Sequence, residues 1–274
     1  MQFGRGLYDL EGFKEGQAVG QILELDAANV AQVQAGLKQC MAAGNRVIEL
    51  EVPTKDRFKD AALNQIYEAN TIYARDLVRM FTQPQELCMV FPDVQEAQFA
   101  LKEYGGQVPF KLSSLAKSKA QGEDVNKYVV MHPVFDVREY AQMDQLYSDE
   151  IKPKDATLII FNGDLFKLRS GGLKGYYPDI FFPKLADVRR RLMPQVETAY
   201  YFRIFRGPPV GALYKKFPGP WMVLRALSGK SFDVLAQFDQ KEPPSQDDVF
   251  QILQRAGPAP VTAQQDGDGD EQVD

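Results

Sequence analysis

Histidine, cysteine and tryptophan are nearly missing from this 274-residue chain: it has His132 alone, Cys40 and Cys88, and Trp221 alone. Metal sites that need two histidines are thereby excluded. A Ser-His-Asp or Cys-His mechanism would have to use His132, and no activated-serine elbow accompanies it. The two cysteines have no Cys-x-x-Cys spacing. They imply neither a zinc knuckle nor a disulfide framework, and both are expected as small buried thiols. Long apolar runs are also lacking: none approaches the roughly 18–20 residues of a membrane span, so integral insertion is not expected. Peripheral attachment stays open. The start, Met1-Gln2-Phe3-Gly4-Arg5, has neither a secretory h-region nor a long Arg/Ser-rich transit character. The expectation is that the protein works where it is made or that a targeting segment has been trimmed away.

Familiar chemical motifs fail on spacing or context. Gly229-Lys230-Ser231 imitates the end of a phosphate loop, but Leu224 stands where the first glycine belongs. It also lies between two predicted strands, so a tight hairpin turn is expected. Asp266-Gly267-Asp268-Gly269-Asp270 starts like a calcium loop but lacks the glutamate at position 12 and the flanking helices. No Gly-x-Gly-x-x-Gly follows the first predicted strand, so dinucleotide binding has no support. No cofactor or metal is expected.

What the chain does have is charge asymmetry. From Lys167 to Arg225 there are twelve Lys or Arg and three acids, a local balance of +9 in a chain whose total is −5. Such a stretch attracts phosphates, anionic headgroups or acidic protein patches. Nucleic acid is disfavoured by the acidic total and by the lack of a recognition fold.

Periodicity predicts alternating helices and strands. Asp26 can cap a helix with the stripe Val30, Val33, Leu37 and Met41, stopped by Gly44-Asn45. Val47 to Val52 reads as a strand; its alternating Glu49 and Glu51 suggest one wet face near a sheet edge. A second helix is expected over about Asp60 to Phe81. Leu87 to Phe91, Tyr128 to Met131 and Thr157 to Phe161 read as strands buried on both faces. Asp93 with Glu96, and Asp136 with Glu139, form capping-box-like openings of two further helices, the second running to about Glu150. The polar stretch from Ser113 to Asp124 predicts a mobile loop. This rhythm predicts an α/β fold, a mostly parallel sheet with helices on both faces.

After a helix opened by Pro183 the style changes. Tyr200 to Arg206, Leu213 to Phe217, Trp221 to Leu227 and Phe232 to Phe238 follow with short gaps, which predicts a C-terminal antiparallel meander. A last helix begins at Ser245 and ends at Gly257-Pro258. One domain over 1–257 is expected, with 258–274 a disordered acidic tail.

Two candidate sites follow. The carboxyl ends of the parallel strands would bring together Asp93, His132, Asn162 and Asp164, beside Thr54 and a following glycine-containing loop that carries Arg169 and Lys174. Ligands of open α/β sheets bind at that edge, although Asp93 also reads as a helix cap, Asn162-Gly163 as a turn and His132 as a structural imidazole. The second candidate is the basic surface: Lys167, Arg169, Lys174, Lys184, Arg189, Arg190, Arg191, Arg203, Arg206, Lys215 and Lys216. Trp221, in Phe217-Pro218-Gly219-Pro220-Trp221, reads either as a buried indole or as an interfacial anchor.

The ordered blocks Gln34-Ala35, Gly44 to Leu50, Val90-Phe91-Pro92-Asp93, Leu158 to Asn162, Ala199-Tyr200-Tyr201-Phe202 and Phe217 to Trp221 carry a resemblance. Together they resemble a plastid and cyanobacterial domain-of-unknown-function family that includes the assembly factor Low PSII Accumulation Three. That family often reads Asn-Pro where this chain has Asn162-Gly163. The resemblance implies a protein of the chloroplast stroma or the stromal face of the thylakoid that helps photosystem II subunits assemble, with no established reaction; the missing chemical motifs favour a non-catalytic protein that docks through the basic region. Its expected partners are photosystem II subunits or other assembly proteins, and the clustered cations add anionic thylakoid lipids. The alternative is a phosphate-ligand or nucleotide-binding protein that uses the strand-end edge.

Overall fold

The computed structural model describes residues 27–52, 72, 75, 77–117, 124–134, 136–169, 175–205, 209–227 and 232–257. Along the chain run α1 (Ala27–Ala42), β1 (Val47–Glu51), β2 (Leu87–Phe91), α2 (Val94–Glu103), β3 (Lys111–Ser114) and β4 (Lys127–Met131). Then come α3 (Val137–Leu146), β5 (Thr157–Phe161), α4 (Phe166–Arg169), α5 (Pro183–Arg191) and β6 (Val196–Phe205). The chain continues with β7 (Gly211–Lys216), β8 (Trp221–Ala226), β9 (Phe232–Phe238) and α6 (Gln246–Ala256). The nine strands form one sheet in the order β3-β2-β4-β5-β1-β6-β7-β8-β9. From β3 to β6 the pairing is parallel, and from β6 to β9 it is antiparallel. The expected parallel sheet with a C-terminal meander is therefore the observed fold. No helix among the described residues is long and apolar enough to cross a membrane.

Caps set the helix starts as the sequence indicates. Asp93 Oδ1 accepts from the Glu96 amide at 2.8 Å, and Asp136 Oδ1 from the Arg138 amide at 2.8 Å. Ser245 and Asp248 close a reciprocal capping box on α6. Val33, Leu37 and Cys40 of α1 pack with Ile48, Leu50, Met89 and Phe91 on one face of the sheet. Tyr140 and Met143 of α3 and Leu185 and Val188 of α5 pack with Val47, Val90, Tyr128 and Ile160 on the other. Farther along that second face, Tyr201, Leu213, Trp221 and Val223 receive Val249 and Leu253 of α6.

β1 is not near an edge. It sits between β5 and β6, and Glu49 is 0% exposed. Alternating glutamates suggested a wet face because a buried carboxylate is costly without a partner, and its partner lies 120 residues away. The stretch beginning at Ser113 is also not a loop throughout. Lys111–Ser114 pairs in parallel with β2, followed by a single turn at Leu115–Lys117. Ladder hydrogen bonds on the sheet rim hold this strand, so its side chains carry little apolar signal. The helix from Val137 ends at Leu146 and continues as a π turn over Tyr147–Ile151. β6 starts at Val196 and is itself the last parallel strand, so the meander's first strand also completes the parallel sheet. The second helix falls mostly, and Thr54, Gly229-Lys230-Ser231 and the acidic tail wholly, outside the described residues.

One irregularity positions the site. Glu49 is level with Thr198 but Leu50 with Tyr200, so Ala199 is an extra residue in β6. A Cβ on Gly36 would lie 2.4 Å from the Ala199 carbonyl oxygen, so only glycine lets α1 sit this close to the bulge. The bulge keeps both Thr198 and Tyr201 on the face that carries Glu49 and Glu51.

Candidate functional site

Between the two apolar clusters of the second face runs a polar seam built from β1, β6 and the segment that follows β5. Glu49 lies at its floor. Thr198 Oγ1 donates to Glu49 Oε2 at 2.6 Å, and the two terminal nitrogens of Arg169 donate to Oε1 and Oε2 at 3.0 and 2.6 Å. Arg169 Nε reaches Glu242 at 3.0 Å. Burial works against the Arg169 charge, but the Glu49 and Glu242 carboxylates outweigh it and hold its pKa above the ordinary value. A fork-to-fork pair of this kind supplies the directional bonds that a desolvated ion pair requires.

Glu51, two residues along the same face, accepts from the Asp164 amide at 3.3 Å. Burial, then the Asp164 and Glu49 carboxylates, push Glu51 up to about 8, against the opposing pull of Arg203. Asp164 accepts from Lys167 Nζ at 2.6 Å and from Arg203 at 2.5 Å. The strand-end edge and the basic stretch therefore meet at Asp164.

His132, Asn162 and Asp164 have φ of 47°, 49° and 43°. Of the non-glycine residues, Asn, Asp and His are enriched in this left-handed region. Asn162 is a structural latch: its side-chain oxygen accepts from the Val52 amide at 2.8 Å, and its own amide donates to the Leu50 carbonyl at 2.8 Å. His132 is pulled down to about 4 by burial, with Asp164 opposing and Lys167 reinforcing the shift. Asp93 serves as the cap of α2 and stands at the end of β2, two strands from β5.

The basic residues are mostly engaged. Arg189 binds Asp179 and donates to the Leu168 carbonyl at 2.7 Å, Arg190 binds Asp187 at 2.5 Å, and Arg191 binds the buried Asp144. Lys215 is buried, 3.1 Å from Glu197 and 5.2 Å above the Trp221 ring. Trp221 is 0% exposed and donates to the Lys241 carbonyl at 3.1 Å, so it is a core indole and does not anchor at the surface. Lys184 is exposed, and no carboxylate among the described residues pairs with it in the structure. Lys216 is half-buried. Lys174 and Arg206 lie outside the described residues.

No local sequence signal marks the turn before α5. The Phe181 and Phe182 amides both donate to the Pro178 carbonyl at 3.0 Å. Tyr177 and Phe182 stack edge to face inside it, 5.2 Å apart, while Arg189 pins Asp179. Ile180 and Phe181 consequently point outward, 71% and 74% exposed, next to Lys184. Alternation within Tyr-Tyr-Pro-Asp-Ile-Phe-Phe-Pro hides this, because inward and outward aromatics read alike. Glu242 was also missed, being a loop residue far from its partner in sequence.

The profile of the family described as Domain of unknown function (DUF1995) matches residues 27–250 of the chain. Among curated proteins, none matches.

Proposed function

The chain belongs to the DUF1995 family, and we propose that it is a non-catalytic chloroplast protein that assists photosystem II assembly by docking on the anionic stromal surface of the thylakoid. The plastid and photosystem part of this reading is supported by the ordered sequence blocks set out above. The docking part is carried by one observation: Ile180 and Phe181 stand out from a turn that is itself held rigid. Exposed apolar pairs on a braced turn have no role in the fold, and interfacial proteins bury such side chains at the headgroup boundary. Lys184 and the largely exposed Arg190 and Arg191 lie on the helix that follows, where each cation near an anionic surface adds about 1 kcal/mol. The carboxylates of Arg190 and Arg191 reduce that gain, so the apolar pair supplies the specificity and the charge supplies the steering.

The test is replacement of the wild-type chain in plastids by an Ile180→Asp/Phe181→Asp variant. Newly made photosystem II subunits should enter assembled complexes more slowly, and the chain should leave the thylakoid fraction. Normal assembly kinetics with the variant still folded would reject the reading.

A further inference from the structure

Beside the polar seam lies an open cleft of about 800 Å³, bounded by α4, α5, β6 and the segment leading into α6. It does not include Ile180 or Phe181. We infer that this cleft binds a phosphate ester carrying a flat apolar group. The cleft volume falls within the range of small-molecule sites.

Lys167, Arg169, Arg189 and Arg203 line the cleft, from three separate elements. Among the described residues the lining carboxylates are Glu242 and Asp247. Glu49, Asp164 and Asp179, which between them hold all four cations from behind, are not part of the lining. Seen from the cleft, four cations oppose two acids. The acids behind the lining fix the cations in place, so an incoming anion would meet donors whose ordering is already complete.

The remaining wall explains the apolar group. Lys167 Nζ lies 5.1 Å from the Tyr176 ring centre, and Arg203 lies 5.4 Å from that of Phe166. Both rings line the cleft, with Met193 and Pro194 alongside. Tyr176 is 63% exposed, an unusual state for a large aromatic on the rim of a basic cleft. A flat group attached to the phosphate would cover it. Glu242, bonded to Arg169 Nε at 3.0 Å and 53% exposed, occupies the position of a competing carboxylate. A phosphate oxygen would displace it and take over the Nε donor.

The source of such chemistry is either a free organic phosphate or a lipid headgroup, and the inference stands apart from the docking surface. Phenyl phosphate, inorganic phosphate and phenol serve as probes in calorimetric titration of the whole chain. Phenyl phosphate should bind one to one and more tightly than either fragment. Arg203→Gln and Lys167→Met should each weaken it by about tenfold, as expected for lost charge-assisted bonds. Glu242→Gln should tighten it, an effect that loss of folding cannot mimic. If dispersed short-chain phosphatidylglycerol displaces phenyl phosphate, a headgroup is the source; if it fails to, a free phosphate is, and the cleft is supported in both cases. The inference is overturned if phenyl phosphate fails to bind both wild type and Glu242→Gln. Unchanged affinity in the folded Arg203→Gln and Lys167→Met variants would equally overturn it. Ile180→Asp/Phe181→Asp should leave phenyl phosphate binding intact, so the docking proposal and the cleft can fail separately.

Discussion

Arg169 grips the fully buried Glu49 with both terminal nitrogens, across 120 residues of sequence, and this pair ties α4 to the central strand β1. Neither group tolerates loss of the other, because a desolvated charge would remain.

Arg169→Leu should therefore cost about 3–5 kcal/mol, the usual penalty for orphaning one half of a buried pair. The double change Glu49→Leu/Arg169→Leu should recover much of that loss. Urea unfolding of the three proteins reads both effects. A double variant as unstable as Arg169→Leu would show that the pair does not act as a unit.

Glu51 and His132 tilt the pH dependence of stability in opposite senses. Glu51 is raised from 4.5 to about 8. The unfolded chain gives up that proton near 4.5 while the folded chain keeps it, so stability falls as pH rises from about 4.5 to about 8. Glu51→Gln cannot ionise and should gain on wild type toward pH 8. His132 is lowered from 6.5 to about 4, so the unfolded chain takes up a proton that the fold refuses. Its contribution is present above about 6.5 and is lost as pH drops toward 4. His132→Asn, which keeps a residue tolerant of left-handed backbone, should flatten the acid side. Unfolding midpoints across this pH range check both slopes.

Trp221 is the chain's single tryptophan, so its fluorescence reports one place. Buried against Tyr201, with ring centres 5.1 Å apart, it should emit as a protected indole. Brominated lipids should leave that emission unquenched even when the chain is bound to vesicles. Trp221→Ala should cost about 3–5 kcal/mol through the cavity it leaves.

Asp93→Ala should cost about 1 kcal/mol through the lost cap on α2 and leave membrane association unchanged. Thermal unfolding and vesicle sedimentation of the same variant separate the two effects.

How far the sequence could be read follows from the range of each interaction. Apolar runs such as Leu87–Phe91 and Thr157–Phe161 announce buried parallel strands, and Asp93, Asp136 and Ser245 announce helix starts, because these signals are local. Glu49 misled because its partners, Arg169 and Thr198, arrive only with the fold. The +9 stretch promised a free basic surface. In three dimensions acids from outside it, Asp164, Glu49, Glu242 and Asp144, come to meet its arginines. The strand-end residues did gather on one edge, but Asn162 and Asp93 work as latch and cap there. Ile180 and Phe181 became visible only once Tyr177 and Phe182 had taken the inward positions.

Sedimentation with vesicles containing anionic phosphatidylglycerol tests the docking surface most directly, comparing wild type with the folded Ile180→Asp/Phe181→Asp variant. Wild type should co-sediment, its binding should weaken as salt shortens the screening length to about 8 Å and below, and the variant should stay in solution. Equal sedimentation of the two proteins would contradict the docking proposal.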